Sequence, residues 1–321
     1  MREVYERVMV VTELPSGAGW HYGGFPYGLE PLTLPYPGTG YQPDAPLLAA
    51  EFAETSRRIQ TINEYGLPTG EVQPCLEQDN LFWFRWITGH QVSFILWRMA
   101  ANLLEEVALQ RRSASSALPA LIHYVDGYSA MLLYTGSCPR AEYHRVIRPS
   151  MQLRHPGFSG GWAPDYLPVR QLLRGRLAPL DQSPLSAELM EAVKLNQLVH
   201  EHVAAKLVPD GISLLRQSGH AARRQDGRLL SLLYDNYFMT WRGPVSQSDV
   251  IAQLFRRLVA IMQDVEVNGL APAGERSPTE SADGMSADAE IADGVSACER
   301  KITEILAEVA PRAATSLAES A

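Results

Sequence analysis

Apolar residues recur at three- and four-residue spacing through most of the chain after residue 46. This spacing is that of an amphipathic α-helix, because such positions share one face. The pattern predicts six helical segments: Leu47–Glu64, Glu77–Gln110, Leu118–Tyr134, Leu185–Val208, Leu229–Thr240 and Val245–Gly269. The last segment begins with capping-type residues from Ser246 and ends at Gly269. We therefore predict an all-α fold, a predominantly helical bundle.

Three segments outside this pattern have their own composition. Residues 13–46 are rich in Gly, Pro and aromatic residues, so we predict an ordered but irregular arm. Residues 269–297 contain the near-repeats SADGMSA and ADGVSA and are predicted to form a low-complexity acidic linker. Residues 298–321 are predicted to form a short C-terminal helix and tail, whose docking the pattern leaves open. Residues 1–268 then form one domain.

The charge distribution and the cysteine count exclude several classes of protein. Most of the formal net charge of −8 lies beyond residue 268, so the body lacks the basic field of a general nucleic-acid binder. The three cysteines are too few for a disulfide framework or a structural zinc site. The N-terminus lacks a signal-peptide core, and no apolar run reaches the roughly 18 residues of a membrane span. We expect a cytoplasmic protein.

Two histidine sites are candidates for chemistry. His90 lies in an aromatic-rich helical segment, with Trp86 and Phe94 one turn away on either side. A buried imidazole needs a hydrogen-bond partner. From the residues alone, His90 is either a structural histidine of the core or a functional one. His200 and His202 point in different directions on a helix and cannot both bind one metal ion. Either of them alone would suffice as the axial ligand of haem.

Two arginines and a glycine-rich segment complete the candidates. Arg145 and Arg148 have the planar guanidinium that suits a carboxylate, although a solvated helix end would explain them equally well. The segment GFSGGW at 157–162 lacks the preceding strand of a phosphate-binding loop. We expect it to be a turned loop, including Phe158, that closes on a ligand.

In order, these segments resemble the haem-dependent superfamily of tryptophan and indoleamine 2,3-dioxygenases, and within it the L-tyrosine 3-hydroxylases of natural-product pathways. The resemblance covers about residues 80–210. It rests on three motifs in sequence: His90-Gln91 before Trp97; Arg145 before Pro149-Ser150 and Gly157-Phe158; and His200 before Lys206-Leu207-Val208. An acidic residue that the dioxygenases place four residues after the first histidine is Phe94 here. Their substrate loop after the axial helix is also unmatched, which favours the hydroxylases.

The resemblance implies an activity and its cofactor. The chain is expected to be a peroxygenase-type oxidoreductase of antibiotic biosynthesis that hydroxylates L-tyrosine beside its phenol, giving a catechol such as L-DOPA. The co-substrate would be hydrogen peroxide or O2. Some relatives attach haem through a Cys four residues after a histidine; because Ala204 and Lys206 stand at those positions, non-covalent haem b is implied.

The resemblance also implies roles for individual residues. His200 is the expected axial ligand of the haem iron, with His202 as fallback. His90 is expected to be the catalytic residue that takes up and returns a proton of peroxide. Arg145 is expected to hold the substrate carboxylate. The other residues expected to bind substrate are Arg148, Trp86, Phe94 and Phe158.

Two alternatives accompany this hypothesis. One is an indole-cleaving haem dioxygenase of the tryptophan 2,3-dioxygenase type. The other is a non-catalytic helical protein in which the aromatic arm and acidic tail contact a protein partner. The partner expected of the enzyme is a small aromatic amino acid, with neither nucleic acid nor membrane, and a homo-oligomer is compatible with the sequence.

Overall fold

The computed structural model describes residues 21–22, 25–26, 30–43, 78–208, 212–218, 226–270 and 286–320. The α-helices of these residues are α1 (Gln78–Ala108), α2 (Ala114–Gly136), α3 (Arg140–Glu142), α4 (Arg148–Arg154), α5 (Tyr166–Leu173), α6 (Pro184–Leu207), α7 (Leu214–Gln217), α8 (Gly227–Tyr237), α9 (Gln247–Asn268), α10 (Ser286–Arg300) and α11 (Ile302–Ser320). A π-helical turn, Tyr143–Ile147, precedes α4, and a 3₁₀ turn, Gly160–Trp162, precedes α5. The prediction of an all-α fold is confirmed.

Helix α1 forms the centre of the bundle. It is apolar on nearly every side, and its middle is buried all round against α2, α5 and α9. Helix α2 starts at Ser113, whose hydroxyl accepts a hydrogen bond from the backbone N–H of Ser116. Helix α6 packs on the other side of α2, where Gly136 allows a close approach, since a Cβ there would lie 2.6 Å from a methyl group of Val203.

The C-terminal helices belong to the same packed body. Helix α11 lies against α2 and α9 and buries Val309, Ala310 and Ala313 completely. Helix α10 occupies Ser286–Arg300, which falls largely inside the predicted linker. Part of the predicted linker is therefore helical. Its Val295 and Cys298 are buried beside Leu133 and Val199 of the bundle, and these few apolar contacts hold a segment of otherwise polar composition against the bundle.

Short strands supplement the helices. In the segment predicted to be irregular, β1 (His21–Tyr22) pairs with β2 (Phe25–Pro26), and β3 (Leu32–Leu34) lies parallel to β4 (Thr240–Arg242). Leu32 and Leu34 are fully buried, and the backbone N–H of Thr33 donates to the Gln253 side chain at 2.7 Å. The alternation of Leu, Thr and Leu therefore suits a two-sided strand.

The predicted helical segments agree with the structure where it describes them. Helices α1, α2, α6, α8 and α9 lie at the predicted positions within a few residues. Ser246 caps α9, and Gly269 ends it with a φ of +69°. The predicted helix Leu47–Glu64 lies outside the described residues. The short helices between residues 140 and 173 were not predicted. Among the described helices, none is sufficiently long and apolar to span a membrane.

Candidate functional site

A cavity of about 680 Å³ opens where α1, α2, α5 and α6 meet the loop around residue 160. Its volume falls within the range of about 300–1,000 Å³ that is usual for small-molecule and cofactor sites. Its walls combine aromatic rings, polar side chains of α6 and three arginines. The cavity therefore has both the size and the mixed polarity of a ligand site.

Helix α6 supplies one polar wall. Asn196, Gln197, His200 and Glu201 line the cavity, and their spacing in sequence places them on one side of the helix. Among the histidines that the structure describes, only His200 lines this cavity, and His202 does not. Burial lowers the pKa of His200, although Glu201 partly opposes this. A neutral imidazole is the form that binds a metal.

Three aromatic residues form another part of the wall. Trp97 of α1 makes edge contacts with Tyr128 of α2 and Tyr166 of α5, with ring centroids 5.0 and 5.2 Å apart. All three line the cavity. The indole N–H of Trp97 is buried and has no hydrogen-bond acceptor among the described residues. A buried donor without an acceptor costs about 1–3 kcal/mol, which a ligand acceptor would recover.

The C-terminal turn of α5 brings three cations to the cavity. Arg170, Arg174 and Arg176 line it, and none of them forms an ion pair among the described residues. Gly175, with a φ of +61°, ends the helix. Its N–H donates to Leu172 O, and that of Arg176 to Gln171 O, which is the Schellman pattern. The turn therefore has a defined geometry.

The loop predicted to close on a ligand contributes the cavity rim. Ser159, Gly160 and Gly161 line the cavity, and the Ser159 hydroxyl accepts a hydrogen bond from the Gly161 N–H at 3.2 Å. Phe158 instead points into the core, where it stacks on Tyr234 with centroids 5.4 Å apart. The structure thus brings the loop to the cavity through its small residues.

His90 lies in an aromatic cluster beside the cavity and is not among the residues that line it. Its Nδ1 is 2.6 Å from the main-chain oxygen of Trp86. Since a carbonyl oxygen only accepts, Nδ1 carries the proton and Nε2 the lone pair. The ring stacks on Phe238 at 4.4 Å and contacts Trp86 at 4.3 Å. Burial lowers its pKa to about 4, so the imidazole is neutral near pH 7.

The Phe94 ring connects this cluster to the cavity. Its centroid lies 6.3 Å from that of His90 and 5.6 Å from that of Trp97, which lines the cavity. The Gln91 side chain holds Phe238 of this cluster in place, because its amide donates to the main-chain oxygen of Phe238 at 2.9 Å. Arg257 in turn donates to the Gln91 amide oxygen at 2.8 Å. His90 and Trp97 are thus linked through the Phe94 ring.

The two arginines expected to bind substrate have different environments. Arg145 is exposed and pairs with both Asp79 and Glu142. Arg148 is buried and donates to the main-chain oxygen of Ile212 at 3.1 Å. It also lies close to Tyr143, where its charge partly opposes the rise in the Tyr143 pKa that burial causes. It forms no ion pair with a described carboxylate. Neither arginine lines the cavity. Of the two, Arg148 is therefore the one whose charge lacks compensation in the described part of the chain.

These residues fit a haem group. Haem needs one protein ligand, because the porphyrin supplies four nitrogens, and His200 presents an imidazole on the cavity wall. The three arginines are donors for its polar edge. In the described ranges, no cluster of three or more His, Cys, Asp or Glu side chains could hold a bare metal ion.

Several lining residues were not predicted from the sequence. They are Tyr128, Tyr166, Arg170, Arg174, Arg176, Asn196 and Gln197. The only local signal was the pattern Arg-Gly-Arg at 174–176, which indicates a helix end and not a ligand. Their positions in the cavity come from the packing of α2, α5 and α6.

Part of the chain is similar to a known enzyme family. Residues 47–193 match the family model described as SfmD 3-methyl-L-tyrosine peroxygenase. The match covers a little under half of the chain, includes His90 and all three cavity arginines, and ends shortly before His200. No curated protein matches the chain. The prediction of a peroxygenase-type oxidoreductase is confirmed by the family match.

Proposed function

We propose that this protein hydroxylates the ring of tyrosine or a methylated tyrosine beside the phenol, with hydrogen peroxide as oxidant and non-covalent haem b bound next to His200. In this reaction one oxygen atom of peroxide enters the ring and the other leaves as water, so an aromatic C–H becomes C–OH. The product is a catechol such as L-DOPA or its methylated counterpart. Such a product suits a natural-product pathway.

The observation that carries this proposal is the position of His200. Among the described histidines it alone lines the large cavity, and the matched family consists of peroxygenases. Haem, when bound, supplies the iron that activates peroxide. His200 would hold that iron, and the rings of Trp97, Tyr128 and Tyr166 would pack against planar groups in the cavity.

His90 would handle the proton of peroxide. Its Nδ1–H is committed to the Trp86 carbonyl, so Nε2 is the nitrogen that can accept a proton. With a pKa of about 4, the imidazolium would return that proton readily to the departing oxygen. Its place in the aromatic cluster, next to Phe94 and Trp86, excludes water from this exchange.

Arg148 would bind the substrate carboxylate. A buried guanidinium without a carboxylate partner is costly, and an amino-acid substrate would supply the missing charge. The edge contact of Tyr143 with Trp86, at 5.8 Å, connects Arg148 to the His90 cluster. Arg145 already has two carboxylate partners and so has less to gain from substrate.

The proposal is tested with purified protein loaded with hemin. Hydrogen peroxide is added with L-tyrosine, 3-methyl-L-tyrosine or L-tryptophan, and the products are identified by mass spectrometry. We expect one added oxygen in one or both tyrosines and no product from His200→Ala. Formation of N-formylkynurenine from tryptophan would instead establish the dioxygenase. A protein that takes up no hemin would contradict both enzyme hypotheses and favour the non-catalytic binding protein.

A further inference from the structure

We infer that Arg170, Arg174 and Arg176 form a subsite for the two carboxylates of haem and so determine which way the cofactor lies in the cavity. This inference rests on the proposed function, since it assumes that haem occupies the cavity beside His200. It concerns a group of residues to which neither the family match nor the sequence motifs assign a role.

The first argument is the charge of the cavity wall. Three guanidinium groups line it, and Glu201 is the one acidic residue among the described lining residues. The dipole of an eight-residue helix would favour a cation near its C-terminus. It does not explain why residues on both sides of Gly175 face the same cavity. A dianionic ligand does.

The second argument is the rigid connection between this turn and the histidine helix. The side-chain amide of Gln197 donates to the main-chain oxygen of Leu173 at 3.0 Å. Gly175 lies against the same amide, because a Cβ there would be 3.3 Å from Gln197 Nε2. Gln197 precedes His200 by less than one helical turn. This hydrogen bond and this contact therefore connect the arginine turn directly to the helix that carries His200.

The third argument is the chemistry of the groups. Arginine pairs with carboxylates through two parallel N–H donors, which fixes orientation as well as adding affinity. The three arginine side chains are exposed. They would meet the polar edge of a ligand, while the apolar face of the same ligand packs on the wall formed by Trp97. Haem is planar and carries both carboxylates on one edge, so it matches this division of the cavity.

The test compares the binding of haem and of haem dimethyl ester, which lacks both negative charges. Absorbance titrations would use the wild type, the triple variant R170Q/R174Q/R176Q and the control R140Q/R154Q/R228Q. The control removes the same charge from exposed arginines that do not line the cavity. Circular dichroism would confirm that all three proteins are folded.

We expect the wild type and the control to bind haem about tenfold or more tightly than its diester, with a preference that falls as salt rises. The cavity variant should lose most of this preference while its affinity for the diester stays the same. Equal preference in all three proteins would overturn the inference, as would a wild type that binds both compounds equally. Absence of any haem binding by the wild type would instead overturn the proposed function, and the two failures are therefore distinguishable.

A second arm separates haem from the amino-acid substrate as the source of the carboxylates. If the arginines bound the substrate carboxylate, the cavity variant would take up haem normally and show a raised KM for tyrosine. That result would overturn the inference. Unchanged KM in haem-saturated variant protein, together with weakened haem binding, would support it.

Discussion

Nδ1 of His90 donates a hydrogen bond to the main-chain oxygen of Trp86, one turn earlier in α1, at 2.6 Å. The bond fixes the tautomer and leaves the lone pair on Nε2. Packing against Phe238 and Trp86 removes water from the ring and lowers the pKa of His90 to about 4. A histidine of this kind is neutral in the folded protein at a pH where the same residue in an unfolded chain is already protonated.

This difference predicts a pH dependence of stability. Above pH 6.5, the pKa of His90 in the unfolded chain, the ring is neutral in both the folded and the unfolded state, so His90 adds nothing to the pH dependence of stability. Between pH 6.5 and about 4, only the unfolded state binds a proton at His90, so the free energy of unfolding falls as the pH falls. At pH 5 the loss is about 2 kcal/mol. The variant His90→Phe should lack this loss. Urea unfolding of both proteins at pH 7.5 and 5.0 measures it, and an identical pH dependence would show that His90 is not buried as a neutral ring.

The two histidines of α6 should differ in their effect on haem binding. His200→Ala should remove the Soret band of the reconstituted protein, because the cavity loses its only described imidazole. His202→Ala should keep the band, because this side chain is not part of the cavity wall. Absorbance spectra of the two variants, prepared in parallel, give the answer. Loss of the band in the second variant alone would transfer the axial role to His202.

Substitution of Arg148 and of Arg145 should have different effects on the KM for the substrate. Arg148→Gln should raise the KM for the amino-acid substrate by about tenfold or more, because a charge-assisted carboxylate contact is lost. Arg145→Gln should leave KM near the wild-type value, since this guanidinium already pairs with Asp79 and Glu142. Steady-state kinetics with tyrosine and peroxide on both variants tests the difference. The reverse order would assign the carboxylate to Arg145.

The close contact between α2 and α6 should be sensitive to a single methyl group. A Cβ at Gly136 would lie 2.6 and 2.8 Å from the two methyl groups of Val203. Gly136→Ala should therefore destabilise the protein by about 1–3 kcal/mol and weaken haem binding by displacing His200. The double variant with Val203→Ala should recover much of both losses. Thermal unfolding and hemin titration measure them, and a fully stable single variant would contradict this packing.

Haem should be removable without breaking a covalent bond. The positions four residues after His200 and His202 are Ala204 and Lys206, and the buried thiols Cys138 and Cys298 do not line the cavity. Acidified acetone or butanone should extract all the haem, leaving colourless protein. A protein-bound haem after extraction, located by peptide mass spectrometry, would show a thioether bond and refute non-covalent binding.

Sequence alone determined much of the fold because the information is local. The three- and four-residue spacing of apolar residues predicted α1, α2, α6, α8 and α9, and the capping chemistry of Ser246 and Gly269 predicted both ends of α9. The parts that local spacing missed are short or polar. Helix α10 is held by Val295 and Cys298 against the bundle, and such docking has no periodic signature.

The site itself depended on tertiary structure. Sequence singled out His90, Arg145, Arg148 and His200 by type and context. It favoured Arg145 for the substrate carboxylate, because Arg145 is the arginine of the family motif. Packing buried Arg148 and left Arg145 at the surface, where it forms an ion pair with Asp79.

The sequence did not predict the cavity either. Trp97, Tyr128, Arg174 and His200 come from four segments far apart in the chain and meet only when the helices pack. Burial, charge compensation and cavity shape are properties of that packing. They therefore decided which of the candidate residues share a site, while the sequence had determined only that such residues were present.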